Sequence, residues 1–286
     1  MFFFTLFLCS IINTTQSSPL NIVYTNDTEG SVTTCGCAKD PGGGVTRRLN
    51  WLKDAKLDPI NTVYINAGNT IFNDLPSLAH EDKAERFGAD IVFEAMSLMG
   101  IDAFTPGKSD FKKGVEYFKT ASNKVPTVIS NSDDTTYKKS VVFNKGENKI
   151  VVLGIIQPEI LDQTNSIQLR LNDPVKALKN ELKNITKNLK QKPYIILLLF
   201  SDEEGLKKIA KQAKGVDLIL SAGIQEETPQ ALNLNGVNVI RLLNGGDSIG
   251  LFNTATLKNE ITFLGPKFER KNQLSAKVKK YEGLKK

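Results

Sequence analysis

Short apolar runs alternate along this chain with segments whose apolar residues return every three or four positions. That is the pattern of strands alternating with helices. Asn21–Tyr24 and Thr62–Ile65 predict core strands, and Val45–Lys56 between them predicts a helix. That helix carries Leu49, Leu52 and Ala55 on one face, with Arg47, Arg48 and Lys53 off it. Asp82–Met99 predicts a long helix with Phe87, Ile91, Phe93, Ala95 and Leu98 as apolar positions, stopped by Gly100. A strand over Asp102–Thr105, a helix over Phe111–Ser122 and a strand over Val125–Ser130 follow. Val141–Phe143 and Lys149–Ile156 flank a turn-like Asn144–Asn148 and predict a hairpin. Asp173–Gln191 reads as a charged amphipathic helix. Tyr194–Phe200 is apolar without interruption, the mark of a strand buried on both faces. Glu203–Ala213 predicts a helix, Asp217–Leu220 a strand, and Val237–Leu243 with Leu251–Lys258 a closing pair of strands. This alternation predicts a layered α/β fold, with no internal repeat, low-complexity segment or linker.

Composition narrows the picture at both ends. The chain has 286 residues, enough for a substantial core, and its 40% hydrophobic and 24% charged content is ordinary for a globular protein. Its net charge of +6 suggests nucleic-acid binding, but Lys267–Lys286 alone holds eight Lys/Arg against two Glu. The rest is neutral overall, so specific nucleic-acid binding is not expected. Met1–Ile12 is an apolar run too short to span a bilayer, followed by the small polar Asn13–Ser18. Residues 1–18 therefore read as a signal segment, although no Lys or Arg precedes the run. Lipidation at Cys9, which Leu8 disfavours, and an uncleaved anchor are the other readings, and the only routes to a membrane. Residues 19–265 read as one domain and 266–286 as a basic, solvated or loosely helical tail. The expected location is periplasmic or extracellular.

Loss of Cys9 with the leader leaves Cys35 and Cys37. An even count in an exported chain favours a disulfide. The ring it closes is tiny, so it adds little through loop entropy and is strained and reducible. The bland reading is a local bridge shaping a loop. A redox pair and a soft-metal site are the alternatives, although two Cys fall short of the four ligands of structural zinc.

The loops at the strand ends carry the strongest signal. Asn26-Asp-Thr-Glu-Gly30 follows the first strand, Asn66-Ala-Gly-Asn-Thr70 the second, and Thr105-Pro-Gly-Lys-Ser-Asp-Phe111 the third. Pro126–Asn131 is a strand-like segment ending in Asn, Ile195–Phe200 runs into Ser201, and Val216–Ala222 runs into Gly223-Ile-Gln225. Over residues 20–260 this order resembles the catalytic domain of the 5′-nucleotidase type in the calcineurin-like metallophosphoesterase superfamily. The Cys-Gly-Cys ahead of Gly42-Gly-Gly-Val-Thr-Arg-Arg48 is similar to a branch of exported bacterial relatives. The resemblance implies a four-layer α/β/β/α sandwich and a two-metal site that clamps a phosphate and activates a water.

The ligand pattern of that site is largely replaced. Asp27 is kept, and Glu29 stands where a His belongs. Asn69 replaces the bridging Asp, Lys108 the metal-binding Asn and Ser109 the catalytic His. Gly223 and Gln225 stand for the paired His near the end. The chain's single His, His80, sits beside Glu81 and Asp82 and reads as a surface residue. A Lys ammonium repels a dication in a poorly screened pocket. No cofactor is expected, beyond a weak Mg²⁺ or Ca²⁺ site from Asp27, Glu29 and Asp110. Arg47 and Arg48, at a helix start after three glycines, read with Lys108 as an anion site or, equally, as solubilising charge.

Typical 5′-nucleotidases add a C-terminal domain that stacks the nucleobase, and this sequence ends about where the catalytic domain would. The leading expectation is an exported, non-catalytic relative that binds an anionic small molecule or a protein. The rivals are a residual phosphoesterase around Asp27, Glu29 and Asp110, and a thiol protein acting through Cys35 and Cys37.

Overall fold

The computed structural model describes residues 18–36, 39–77, 79–161, 168–188 and 192–285. All of the leader but Ser18, and Cys37, lie outside these described residues.

Two sheets face each other. In the first, β1 (Asn21–Asn26), β2 (Thr62–Gly68) and β3 (Ala103–Pro106) run parallel, with Ile22 opposite Val63 and Ile65 opposite Ala103. On the far side of β1 lies the antiparallel β10 (Ser248–Asn253), followed by β11 (Asn259–Phe263). The second sheet has the order β4 (Ser140–Lys145), β5 (Asn148–Ile156), β6 (Tyr194–Phe200), β7 (Leu218–Ala222), β9 (Val237–Ile240) and β8 (Leu232–Leu234). Its four central strands are parallel and both edge strands antiparallel.

Strand alternation explains the layering. In β6, Ile196, Leu198 and Phe200 join the core between the sheets, while Ile195, Leu197 and Leu199 join a second core on the outer face. That outer core is closed by α5 (Pro174–Asn188) and α6 (Glu203–Ala210), through Leu178, Ile185, Leu206 and Ile209. The first sheet's outer layer is α1 (Val45–Ala55), α2 (Asp82–Leu98), α3 (Val115–Ser122) and α7 (Ser275–Leu284). Phe93 of α2 and Phe118 of α3 reach Phe104 of β3, with ring centroids 6.2 Å apart in each pair. The result is the four-layer α/β/β/α sandwich. A single-turn helix, α4 (Pro158–Leu161), follows β5. Among the described residues no helix is long and apolar enough to cross a membrane.

Some elements differ from the sequence reading. The closing pair is not a pair: β9 joins the second sheet beside β7, and β10 crosses to the first beside β1. Residues 125–130 make only isolated bridges, Phe104 to Thr127 and Val128 to Lys138. The helix expected from Phe111 starts at Val115, after a 3₁₀ turn over Ser109–Phe111 and a Gly114 with φ 89°. The basic end is a docked element rather than a loose tail. Asn50 Nδ2 donates to the carbonyls of Phe268 (2.9 Å) and Arg270 (2.8 Å), and Tyr281 is buried against Gly88 of α2.

Candidate functional site

The loops after β1, β2, β3 and β7 meet at one end of the two sheets, and two buried carboxyl groups hold them together. Asp27 follows β1 directly and has left-handed backbone, φ 44°. Its Oδ1 accepts from Asn69 N (3.0 Å), and its Oδ2 accepts from Gly223 N (2.8 Å) and Asn26 Nδ2 (3.1 Å). One side chain thus ties three loops. Asp110, in the 3₁₀ turn after β3, repeats the device. Its Oδ1 accepts from Thr70 N (2.8 Å) and Ile71 N (2.7 Å), and its Oδ2 from Gly107 N (2.9 Å). Asn69 Oδ1 accepts from Ser109 N (2.9 Å), and Ser109 Oγ donates to the Phe72 carbonyl (2.6 Å).

The structure therefore joins Asp27, Asn69, Ser109, Asp110 and Gly223 in one hydrogen-bonded cluster. Glu29 is half-buried, again with left-handed backbone, and Asn244 hydrogen-bonds its side chain. Lys108 Nζ lies 3.5 Å from the exposed Asp74 carboxylate. Gln225 is exposed, as is His80.

Arg47 and Arg48 are buried, not displayed. Arg47 Nε donates to Glu269 (2.5 Å), and its Nη1 donates to the carbonyls of Pro41 and Leu264. Arg48 Nη2 donates to the Gly246 carbonyl at 3.3 Å. The glycine-rich turn is also engaged: Gly42 N, Gly43 N and Val45 N donate to Cys35 Sγ, Leu264 O and Val32 O. The structure does not gather Arg47, Arg48 and Lys108 around one anion. The Cys35–Cys37 reading depends on Cys37, which lies outside the described residues.

A dinuclear centre needs several carboxylate or imidazole donors with free lone pairs. Here three of about four acceptor positions on each carboxylate are taken by N–H groups. Among the described residues no three His, Cys, Asp or Glu are grouped as ligands. The loops are also close-packed: a Cβ on Gly68 would sit 2.3 Å from Asp27 Oδ1, and one on Gly107 2.5 Å from Asn69 Oδ1. This donor set does not fit a two-metal site.

Burial pushes the Asp27 carboxyl up to about 6 and the Asp110 carboxyl up to about 7, against the opposing pull of the N–H bonds. An acid with a raised folded pKa binds its proton more tightly when folded. Its contribution is full below the unfolded value near 4 and is lost as pH rises through 6 to 7. The melting temperature is expected to fall as pH rises from about 5 to about 8, and Asp110→Asn to flatten that slope; scanning calorimetry across pH checks both.

Sequence reading missed Asn26, which ties the end of β1 to the segment after β9. Its Nδ2 donates to Leu242 O (3.0 Å), and its Oδ1 accepts from Leu242 N (2.7 Å). An amide residue closing an apolar strand was the available signal.

No protein-family model matches the chain. It is 27% identical over 202 residues to an apyrase of Tabanus yao, covering 65% of this chain and 35% of that protein. An apyrase of Anopheles gambiae is 24% identical over 227 residues, covering 71% and 38%. The chain thus spans little more than a third of the length of these relatives. In three dimensions it is similar to a 5′-nucleotidase precursor from Thermus thermophilus, with TM-score 0.73 and 18% identity over 93% of this chain and 59% of that one. It is also similar to the calcineurin-like phosphoesterase YfkN from Bacillus subtilis, with TM-score 0.72 and 17% identity over 94% and 99%. The chain has the calcineurin-like metallophosphoesterase fold of the 5′-nucleotidase type.

Proposed function

We propose that this is an exported metallophosphoesterase-fold protein that has given up two-metal hydrolysis and works by binding. The observation that carries the reading is the use made of Asp27 and Asp110. Each carboxylate accepts three N–H bonds from the protein itself, and at Asp27, the one ligand position kept, a hydrolase would offer those lone pairs to metal. The apolar run at Met1–Ile12 supports export. The ligand in this reading is an anionic small molecule or a protein partner. Arg47 is already engaged by Glu269 and two carbonyls, so an anion at the loop cluster meets Lys108.

The test is hydrolysis of p-nitrophenyl phosphate, ATP and ADP with Mn²⁺, Zn²⁺ or Co²⁺ added. The expected result is no turnover above the metal-only blank. Metal-dependent turnover that disappears in Asp27→Asn overturns the proposal. It would establish the second reading, a residual nucleotide hydrolase, which the similarity to two insect apyrases favours.

A further inference from the structure

The outer face of the second sheet holds a cavity of about 320 Å³ where α4, the start of α5 and α6 come together. Its floor is apolar: Ile155 of β5 and Leu199 of β6, both fully buried, with Ile209 of α6 and Pro174 beside them. Ser201 lines the same cavity. Leu199 faces the outer core and Phe200 the inner one, so alternation returns Ser201 to the side of Leu199. A Cβ on Gly205 would lie 3.0 Å from Ser201 Cβ, which confirms that the side chain faces α6. Ser201 is 0% exposed, yet its Oγ has no hydrogen-bond partner. An unpaired buried hydroxyl is costly unless something arrives to satisfy it. The neighbouring Gln157 does not supply that bond. Its Nε2 donates to Asp202 Oδ2 (3.2 Å), and its Oε1 accepts from Asp202 N (3.1 Å). Three exposed charged side chains stand at the mouth, Glu159, Glu204 and Lys208, a net negative rim.

We infer that this cavity binds a small amphipathic amine. The apolar body lies on Ile155, Leu199 and Ile209, a hydroxyl or carbonyl pairs with Ser201 Oγ at the closed end, and the ammonium sits between Glu159 and Glu204 at the open end. A convergent polar group over an apolar floor, in a volume near the lower limit of small-molecule sites, is the general form of such pockets. The Ser201 backbone adjoins Ala222 and Gly223 at the edge of the loop cluster, but its side chain faces α6, so the proposal does not depend on whether the protein hydrolyses phosphoesters.

Isothermal titration of the full chain with tyramine tests it, since tyramine has a hydroxyl at one end, a ring between and an amine at the other. Phenethylamine lacks the hydroxyl and 4-ethylphenol lacks the amine. For a molecule of about ten non-hydrogen atoms, saturable tyramine binding in the millimolar range or tighter is expected. Each truncated probe is expected to bind about fivefold more weakly or worse. Ser201→Ala should bring tyramine down to phenethylamine's affinity and leave phenethylamine unchanged. Glu159→Gln with Glu204→Gln, both at exposed positions, should weaken both amines and leave 4-ethylphenol unchanged. No saturable tyramine binding would mean a cavity that holds water only, and it overturns the proposal. So does tyramine binding that both variants leave intact. If Ser201→Ala does not fold, the double glutamine variant decides alone.

Discussion

Asp110→Ala is expected to lower unfolding free energy by about 3–5 kcal/mol at neutral pH, and the melting temperature by roughly 10 °C. Three backbone N–H groups, of Thr70, Ile71 and Gly107, lose their acceptor in a site where no water replaces it cheaply. The penalty of stranding buried donors exceeds the relief from removing a buried charge, because the carboxylate is shared among three bonds. Asp110→Asn keeps one good acceptor and turns its NH₂ toward a donor, so about half that loss is expected. Chemical denaturation with an unchanged m-value checks both. The two readings of the site differ in sign here. In an empty metal site, removing Asp110 relieves its repulsion with the nearby Asp27, and stability stays level or rises. A loss of several kcal/mol therefore marks a structural clamp.

How far the sequence announces this arrangement depends on where each partner lies. The strand at Tyr194–Phe200 appears in the structure with the same bounds, because a run buried on both faces has one interpretation. The helix read from period over Val45–Lys56 appears as Val45–Ala55, with Lys56 in left-handed backbone as its C-cap. Period does not say which sheet a strand joins, so β9 and β10 looked like partners when each sits in a different sheet. The helical wheel put Arg47 and Arg48 off the apolar face of α1. They are buried because carbonyls of Leu264 and Gly246, 217 and 198 residues away in sequence, fold over them. The loop order of the site was legible from Asp27 to Gln225. The role of Asp110 was not, since its partners are backbone N–H groups, which every residue but proline carries and no motif records.

Gly68→Ala is expected to cost about 3–5 kcal/mol and to disorganise the loops at the site. Two effects combine. Gly68 has φ +85°, which an L residue adopts only with strain, and its new Cβ would meet Asp27 Oδ1 at 2.3 Å and Ala222 Cβ at 2.6 Å. Neither neighbour is free to give way: Asp27 is held by three donors, and Ala222 belongs to β7. Gly100→Ala separates the terms. Gly100 has φ +69° with nothing within 4 Å of its Cβ position, so it reports backbone strain alone, about 1 kcal/mol. The excess of Gly68→Ala over Gly100→Ala measures how tightly the second loop closes on Asp27. A site kept open for two metals and a phosphate has slack beside that carboxylate, and there the two variants cost the same. An excess of 2 kcal/mol or more, as a rough expectation, means that the space has been taken over by the chain itself.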